Sequence, residues 1–164
     1  MVVAHDPRWP AQFEQIASQV RIALGEITAA VEHIGSTAVP GLAAKPIIDL
    51  SVVVDTVREV PATVAALDGH GWRLEGDGGL AGREAFAPRA DLPYHHLYVV
   101  VRGNRQHLMH TRFRDLLRQD ETARTEYAAL KHALAPLLKS DRVAYTEGKS
   151  ALIVELLHRH GPSS

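Results

Sequence analysis

The sequence predicts an α+β fold, with a small mixed sheet from the N-terminal half packed by helices that come mainly from the C-terminal half. Three observations lead there. Apolar, β-branched runs of strand type fall at 29–34, 47–54 and 95–101. From Arg105 onward the apolar residues recur at helical spacing in three pieces. A length of 164 residues with 46% apolar content suits one globular domain with its own core and is short for two of ordinary size. A single domain is expected over 1–160, followed by a flexible tail at 161–164.

The elements follow in order. Trp9-Pro10 opens a helix in which Phe13, Ile16, Ala17, Val20, Ile22 and Leu24 recur at near-helical spacing, with Gly25 at its end. Strands follow at 29–34 and 47–54, then a helix over 60–67 that stops near Gly69 and Gly71. Short strands at 72–74 and 83–87 flank Gly76-Asp77-Gly78-Gly79, which lacks the lysine and the strand-to-helix context of a nucleotide loop and therefore predicts a hairpin turn. The strand over 95–101 precedes the helical half, whose breaks are expected near Gln119-Asp120 and across 136–141.

The most informative stretch runs from Gly35-Ser36-Thr37 to Lys45-Pro46-Ile47-Ile48-Asp49. A residue without a Cβ lets backbone and ligand approach closely, and the adjacent hydroxyl and N–H groups can bond anionic oxygens. Asp49 sits inside a β-branched run, where a charge is rarely left unpaired. Two readings of it stand side by side: a cap or an ion pair with Lys45, or a carboxylate that faces a metal or substrate.

Composition excludes several function classes. A formal charge of −1 and a pI near 6.8 give no general attraction to polyanions, so no broad nucleic-acid surface is expected. With no cysteine, thiolate catalysis and cysteine-based zinc sites are excluded, and a reducing compartment is the simpler setting. No apolar run approaches the roughly 18 residues that span a bilayer, and Asp6, Pro7, Arg8 and Pro10 interrupt any signal-like segment. A cytoplasmic location without membrane attachment is expected.

In the late helices, Lys131 shares a face with Tyr127 and Leu134, and Lys149 shares one with Tyr145, Leu152 and Leu156. Each lysine either lays its stem along a core with the ammonium in water or lines a cleft as an anion donor, which Lys45 could join. On the helix from Arg105, His107, His110, Arg114 and Arg118 share one side, which reads as a solvated basic face, while Leu108, Met109, Phe113, Leu116 and Leu117 cluster on the other. Arg114 is expected to pair with an acid or to contact a second anion. His95 and His96 are adjacent on a strand and point to opposite faces, so at most one serves a site. His96 shares its face with Tyr98 and is a proton carrier or phosphate donor, or else a hydrogen-bonding core residue. His33 is equally open, and His158 and His160 read as surface residues.

The run from His33 to Asp49, with His95-His96-Leu97-Tyr98-Val99-Val100, Phe113-Arg114-Asp115-Leu116-Leu117, Tyr127-Ala128-Ala129-Leu130-Lys131 and Tyr145-Thr146-Glu147-Gly148-Lys149-Ser150, resembles the GrpB family. That family's fold is similar to the nucleotidyltransferase superfamily, and the likeness covers nearly the whole chain. The resemblance implies a Gly-Ser turn for phosphate, two alternating carboxylates on the next strand and a third acid on a later one, holding Mg²⁺ and nucleotide phosphates. Asp49 takes the first acidic position, as metal ligand and catalytic residue beside Ser36 and His96. The alternating position is Ser51, which cannot bridge a divalent cation as a carboxylate does. Glu84, Asp91, His95 and His96 are the positional candidates for a replacement. Gly35, Ser36, Lys45, Arg83, Tyr98, Lys131 and Lys149 form the expected substrate-binding set.

Two classes of function follow from the resemblance. One is metal-assisted nucleotidyl transfer to a small acceptor. The other keeps the pocket without that chemistry, either as a nucleotide or small-anion binding module or as a site for acid–base chemistry on a small carboxylate or phosphate compound.

Overall fold

The computed structural model describes residues 1–77 and 82–160. These form two compact units, Met1–Leu108 and Met109–Ser164, the second described as far as residue 160.

The first unit holds the whole sheet. Its strands are β1 (Ala30–Ile34), β2 (Ile48–Val54), β3 (Leu74–Gly76), β4 (Arg83–Phe86) and β5 (His95–Val101). Their spatial order is β1-β2-β5-β4-β3, with β2 and β5 parallel and every other pair antiparallel, so the sheet is mixed as expected. The crossover between the parallel strands contains the helix α2 (Val60–Asp68) and the β3–β4 hairpin. Gly76 and Asp77 lie at the hairpin's described edge, whereas Gly78 and Gly79 of the expected turn lie outside the described residues.

One face of this sheet packs on α1 (Trp9–Leu24) and α2, both from the N-terminal half. Leu50, Val52, Leu97 and Val99 meet Ile16 and Val20 of α1 with Leu67 of α2, all at most 1% exposed. Alternation supplies this face from β2 and β5 without interruption, since side chains two apart share a side. Ile22, expected on the buried stripe of α1, is 61% exposed, because it stands between the turns that carry Val20 and Ala23-Leu24 inward.

His95 belongs to this core. Trp72 Nε1–H donates to His95 Nε2 at 3.0 Å, while Nδ1 lies 2.6 Å from the Pro93 carbonyl. Nε2 is therefore the acceptor and Nδ1–H the donor, which fixes one neutral tautomer. Burial pushes the His95 pKa below its ordinary value.

The second unit is helical. It holds the greater part of α3 (Arg105–Gln119), then α4 (Glu121–Leu134), α5 (Leu137–Ser140) and α6 (Arg142–His160). The helix break expected near Gln119-Asp120 is made by Asp120, whose carboxylate accepts the Ala123 N–H at 3.0 Å as the α4 N-cap. The short α5 fills the expected break across 136–141. Phe113 meets Tyr127 edge to face at 4.8 Å. Gly148 lets α6 pass α4, for a Cβ there would stand 3.1 Å from Leu134 Cδ1.

The basic side of α3 is not a uniformly solvated face. His107 is 7% exposed and bridges to Glu32 at 3.3 Å, and the Arg114 side chain, 13% exposed, donates to Asp115. Leu108, expected on the apolar side, is 40% exposed. His160 is more than a surface residue, since its Nδ1 lies 3.2 Å from Asp120.

Candidate functional site

The second face of the sheet carries the polar residues. Asp49 on β2 stands beside His96 on β5 and Ile34 on β1, and Ser51 stands beside Tyr98 and Glu32. In-register neighbours in a sheet point the same way, so Asp49, Ser51, His96, Tyr98 and Glu32 share one face.

Gly35 follows β1 with φ 76° and ψ −177°, a conformation open essentially to glycine alone. A Cβ there would lie 2.5 Å from Asp49 Oδ2 and 3.3 Å from both Asp49 Cβ and Cγ. The glycine is thus required twice, by the backbone and by the carboxylate that rests against it. The early bend and the strand-borne acid meet, although what packs on Gly35 is Asp49 itself. Ser36 opens a short 3₁₀ turn, Ser36–Ala38, closed by bonds from Ala38 N–H to Gly35 O and Val39 N–H to Ser36 O, both 3.1 Å.

The turn is anchored from below. Thr37 Oγ1 donates to the Ile47 carbonyl at 3.0 Å, which commits its proton, so His33 Nε2, also at 3.0 Å, is the donor to Thr37. The His33 ring stacks on Phe13 with centroids 4.7 Å apart and planes 5° from parallel. His33 is therefore a structural tie between α1, β1 and the entrance to β2. It fixes the distance between the bend and Asp49.

Among the described residues Asp49 pairs neither with a turn N–H nor with Lys45. Its Oδ1 lies 3.0 Å from His96 Nδ1, while Lys45 is an exposed residue of the loop before β2. This carboxylate hydrogen bond raises the His96 pKa above its ordinary value, against the opposing effect of partial burial. With Nδ1–H donating to Asp49, Nε2 is the group offered outward; the side chain is 40% exposed and Nε2 has no hydrogen-bond partner among the described residues. Such a pair can take up a proton at Nε2 while the carboxylate stabilises the imidazolium that forms.

Tyr98 lies next along the face. The Arg83 guanidinium covers its ring, 4.2 Å from the centroid, and burial raises the phenol pKa, which keeps the hydroxyl a donor near neutrality. Tyr94, Glu75 and the Glu32–His107 pair also belong to this side of the first unit. The sequence pointed to none of them as a site residue, and His107 read as part of a solvated face. For Tyr94 the signal was present in the alternation Tyr94, His96, Tyr98; for Glu75 and Glu32 nothing local points to the face.

Among the four candidates for a replacement acid, only His96 reaches Asp49. Glu84 is in register with Val99, on the opposite face. Asp91 is tied to Arg89 at 2.6 Å, and His95 is in the core. Ser51 is 1% exposed, so its hydroxyl is enclosed within the fold. Among the described residues no group of three histidine or acidic side chains could hold a metal ion. This donor set does not fit a two-metal site, which needs bridging carboxylates. Lys131 and Lys149 lie on α4 and α6 of the second unit, Lys131 with its ammonium 5.3 Å from the Tyr127 ring centroid. No helix among the described residues is long and apolar enough to cross a membrane.

Comparison with known proteins agrees with this architecture. The chain is 31% identical over 152 residues to the UPF0157 protein YqkA of Bacillus subtilis, an alignment covering 93% of this chain and 44% of that protein, so the chain spans less than half the relative's length. The crystal structure of the conserved protein GrpB from Enterococcus faecalis superposes with a TM-score of 0.80 at 32% identity, over 99% of this chain and 100% of that one. A crystal structure of the Cid1 poly(U) polymerase bound to MgATP matches with a TM-score of 0.53 at 13% identity, over 84% of this chain and 43% of that one. At that identity the likeness speaks for the nucleotidyltransferase-like fold alone. The family model described as GrpB protein matches residues 1–159, and the chain belongs to the GrpB family.

Proposed function

We propose that the Asp49–His96 face binds a small phosphorylated or carboxylated molecule, with nucleotides as the first candidates, and that its chemistry is proton transfer through His96. The observation that carries this reading is the 3.0 Å bond between His96 Nδ1 and Asp49 Oδ1, made where the superfamily pattern would have a free carboxylate pair. Asp49 orients the ring and favours its charged form. His96 then serves as an anion contact when protonated and as a base at Nε2 when neutral. Tyr98 contributes a neutral donor, and Arg83 places positive charge over the same ring. In this reading the Ser36 hydroxyl at the turn beside Asp49, and Lys45 in the loop before β2, are further contacts for anionic oxygens.

The fold likeness to a polymerase bound to MgATP supports nucleotides as candidates and supports magnesium as a second component to test. Thermal shift and calorimetry with nucleoside mono-, di- and triphosphates and small carboxylic acids, with and without Mg²⁺, separate the two functions. Binding without metal, weakened at least tenfold in His96→Gln, is expected. Stabilisation by a triphosphate that requires Mg²⁺ and disappears in Asp49→Asn would replace this reading with metal-assisted nucleotidyl transfer.

A further inference from the structure

Tyr94, His96 and Tyr98 alternate along β5 and its lead-in, so their rings form a row on the face that carries Asp49. Their centroids are 5.8 Å and 6.4 Å apart, with planes at 69° and 65°. Each contact is therefore T-shaped, and neither pair is stacked face to face. Arg83 occupies the Tyr98 ring, and Asp49 engages His96. Tyr94, at the end of the row, is 57% exposed.

Its backbone is held. The Tyr94 carbonyl accepts the Ile48 N–H at 3.1 Å, Pro93 precedes it, and His95 follows it into the core. A large aromatic ring on a fixed backbone, in contact with an imidazole on one side and 57% exposed, loses little entropy when another ring stacks on it. A ligand ring stacked there would have its substituents within reach of His96 and, beyond it, of Arg83.

We propose that Tyr94 is a stacking platform that selects ligands in which an aromatic or heteroaromatic ring carries a phosphate or carboxylate. The inference rests on the proposed anion pocket and deepens it by naming the rest of the ligand. A small molecule is favoured over a nucleic-acid strand, because the chain as a whole carries −1 and offers no general attraction to a polyanion.

The test is calorimetry with AMP, ribose 5-phosphate and adenosine on the full chain and on Tyr94→Ala, Tyr94→Phe and His96→Gln. AMP is expected to bind about 5- to 150-fold tighter than ribose 5-phosphate, the range that stacking one base supplies. That advantage should vanish in Tyr94→Ala and persist in Tyr94→Phe, with ribose 5-phosphate binding equal in all three proteins. Equal affinity for AMP and ribose 5-phosphate in the unmodified chain, or an advantage that survives Tyr94→Ala, overturns the proposal. If ribose 5-phosphate binds in a His96-dependent manner while AMP gains nothing, only the platform falls. If adenosine and AMP bind alike through Tyr94 and His96→Gln changes neither, the anion pocket falls and the platform stands. Failure of all three compounds to bind refutes both.

Discussion

Substituting Gly35 by alanine should damage the fold and the candidate site together. The backbone there has φ 76° and ψ −177°, and holding a non-glycine residue in that region costs about 1–3 kcal/mol. The new Cβ would also meet Asp49 Oδ2 at 2.5 Å, with Asp49 Cβ and Cγ both at 3.3 Å. Because the stem is crowded as well as the oxygen, rotating the carboxylate alone does not relieve the contact. Asp49 must shift, and its bond to His96 is the interaction most directly lost; hydrogen bonds to charged groups are worth about 1.5–3 kcal/mol, discounted here because both side chains are partly solvated. A total destabilisation of about 2–4 kcal/mol is expected. Urea denaturation followed by Trp9 and Trp72 fluorescence measures it, and NMR titration of His96 should show its pKa falling toward the ordinary imidazole value. In a double-mutant cycle with Asp49→Ala, the steric share from Oδ2 and Cγ should appear as coupling, leaving the backbone share and the Cβ contact in both backgrounds. A Gly35→Ala protein within about 0.5 kcal/mol of the parent, with His96 titrating as before, would refute the reasoning.

Other perturbations probe the neighbouring ties. Thr37→Val removes both the donor to Ile47 O and the acceptor of the His33 Nε2–H, so a loss of about 1–3 kcal/mol is expected in urea denaturation, largely restored by Thr37→Ser. His95 and His96 should give stability opposite pH dependences. The His95 pKa is lowered in the fold, so stability should fall as pH drops below about 6.5, where the unfolded chain binds the proton that the core resists. The His96 pKa is raised, so its contribution is complete below about 6.5 and is lost as pH rises through the folded value. Denaturation curves across pH 5–9 should show Asp49→Asn removing the alkaline loss and leaving the acid loss. Ser51→Asp, which restores the alternating acid, places a carboxylate at a position 1% exposed beside Asp49 and should destabilise by more than about 2 kcal/mol without creating Mg²⁺ affinity. A stable, Mg²⁺-binding Ser51→Asp protein would show that the fold still accepts the two-carboxylate arrangement.

The sequence by itself determined the α+β class, the strands around 30–34, 48–54 and 95–101 and the helical breaks at Asp120 and 136–141, because period-2 and period-3.6 patterns and capping residues act over a few positions. It also separated the roles of His95 and His96, since adjacent residues on a strand must face opposite ways. Tertiary structure decided who meets whom. Asp49 finds His96, 47 residues away, only because β2 and β5 pair in parallel in that register, and Glu84 is turned to the other face by its own register with Val99. Gly35 had looked like an opening for ligand; the fold packs the Asp49 carboxylate against it. His107 had looked solvated, and it pairs with Glu32 because the start of α3 meets the rim of β1. Pairing register and packing distance are properties of segments brought together in space, and local periodicity carries no information about either.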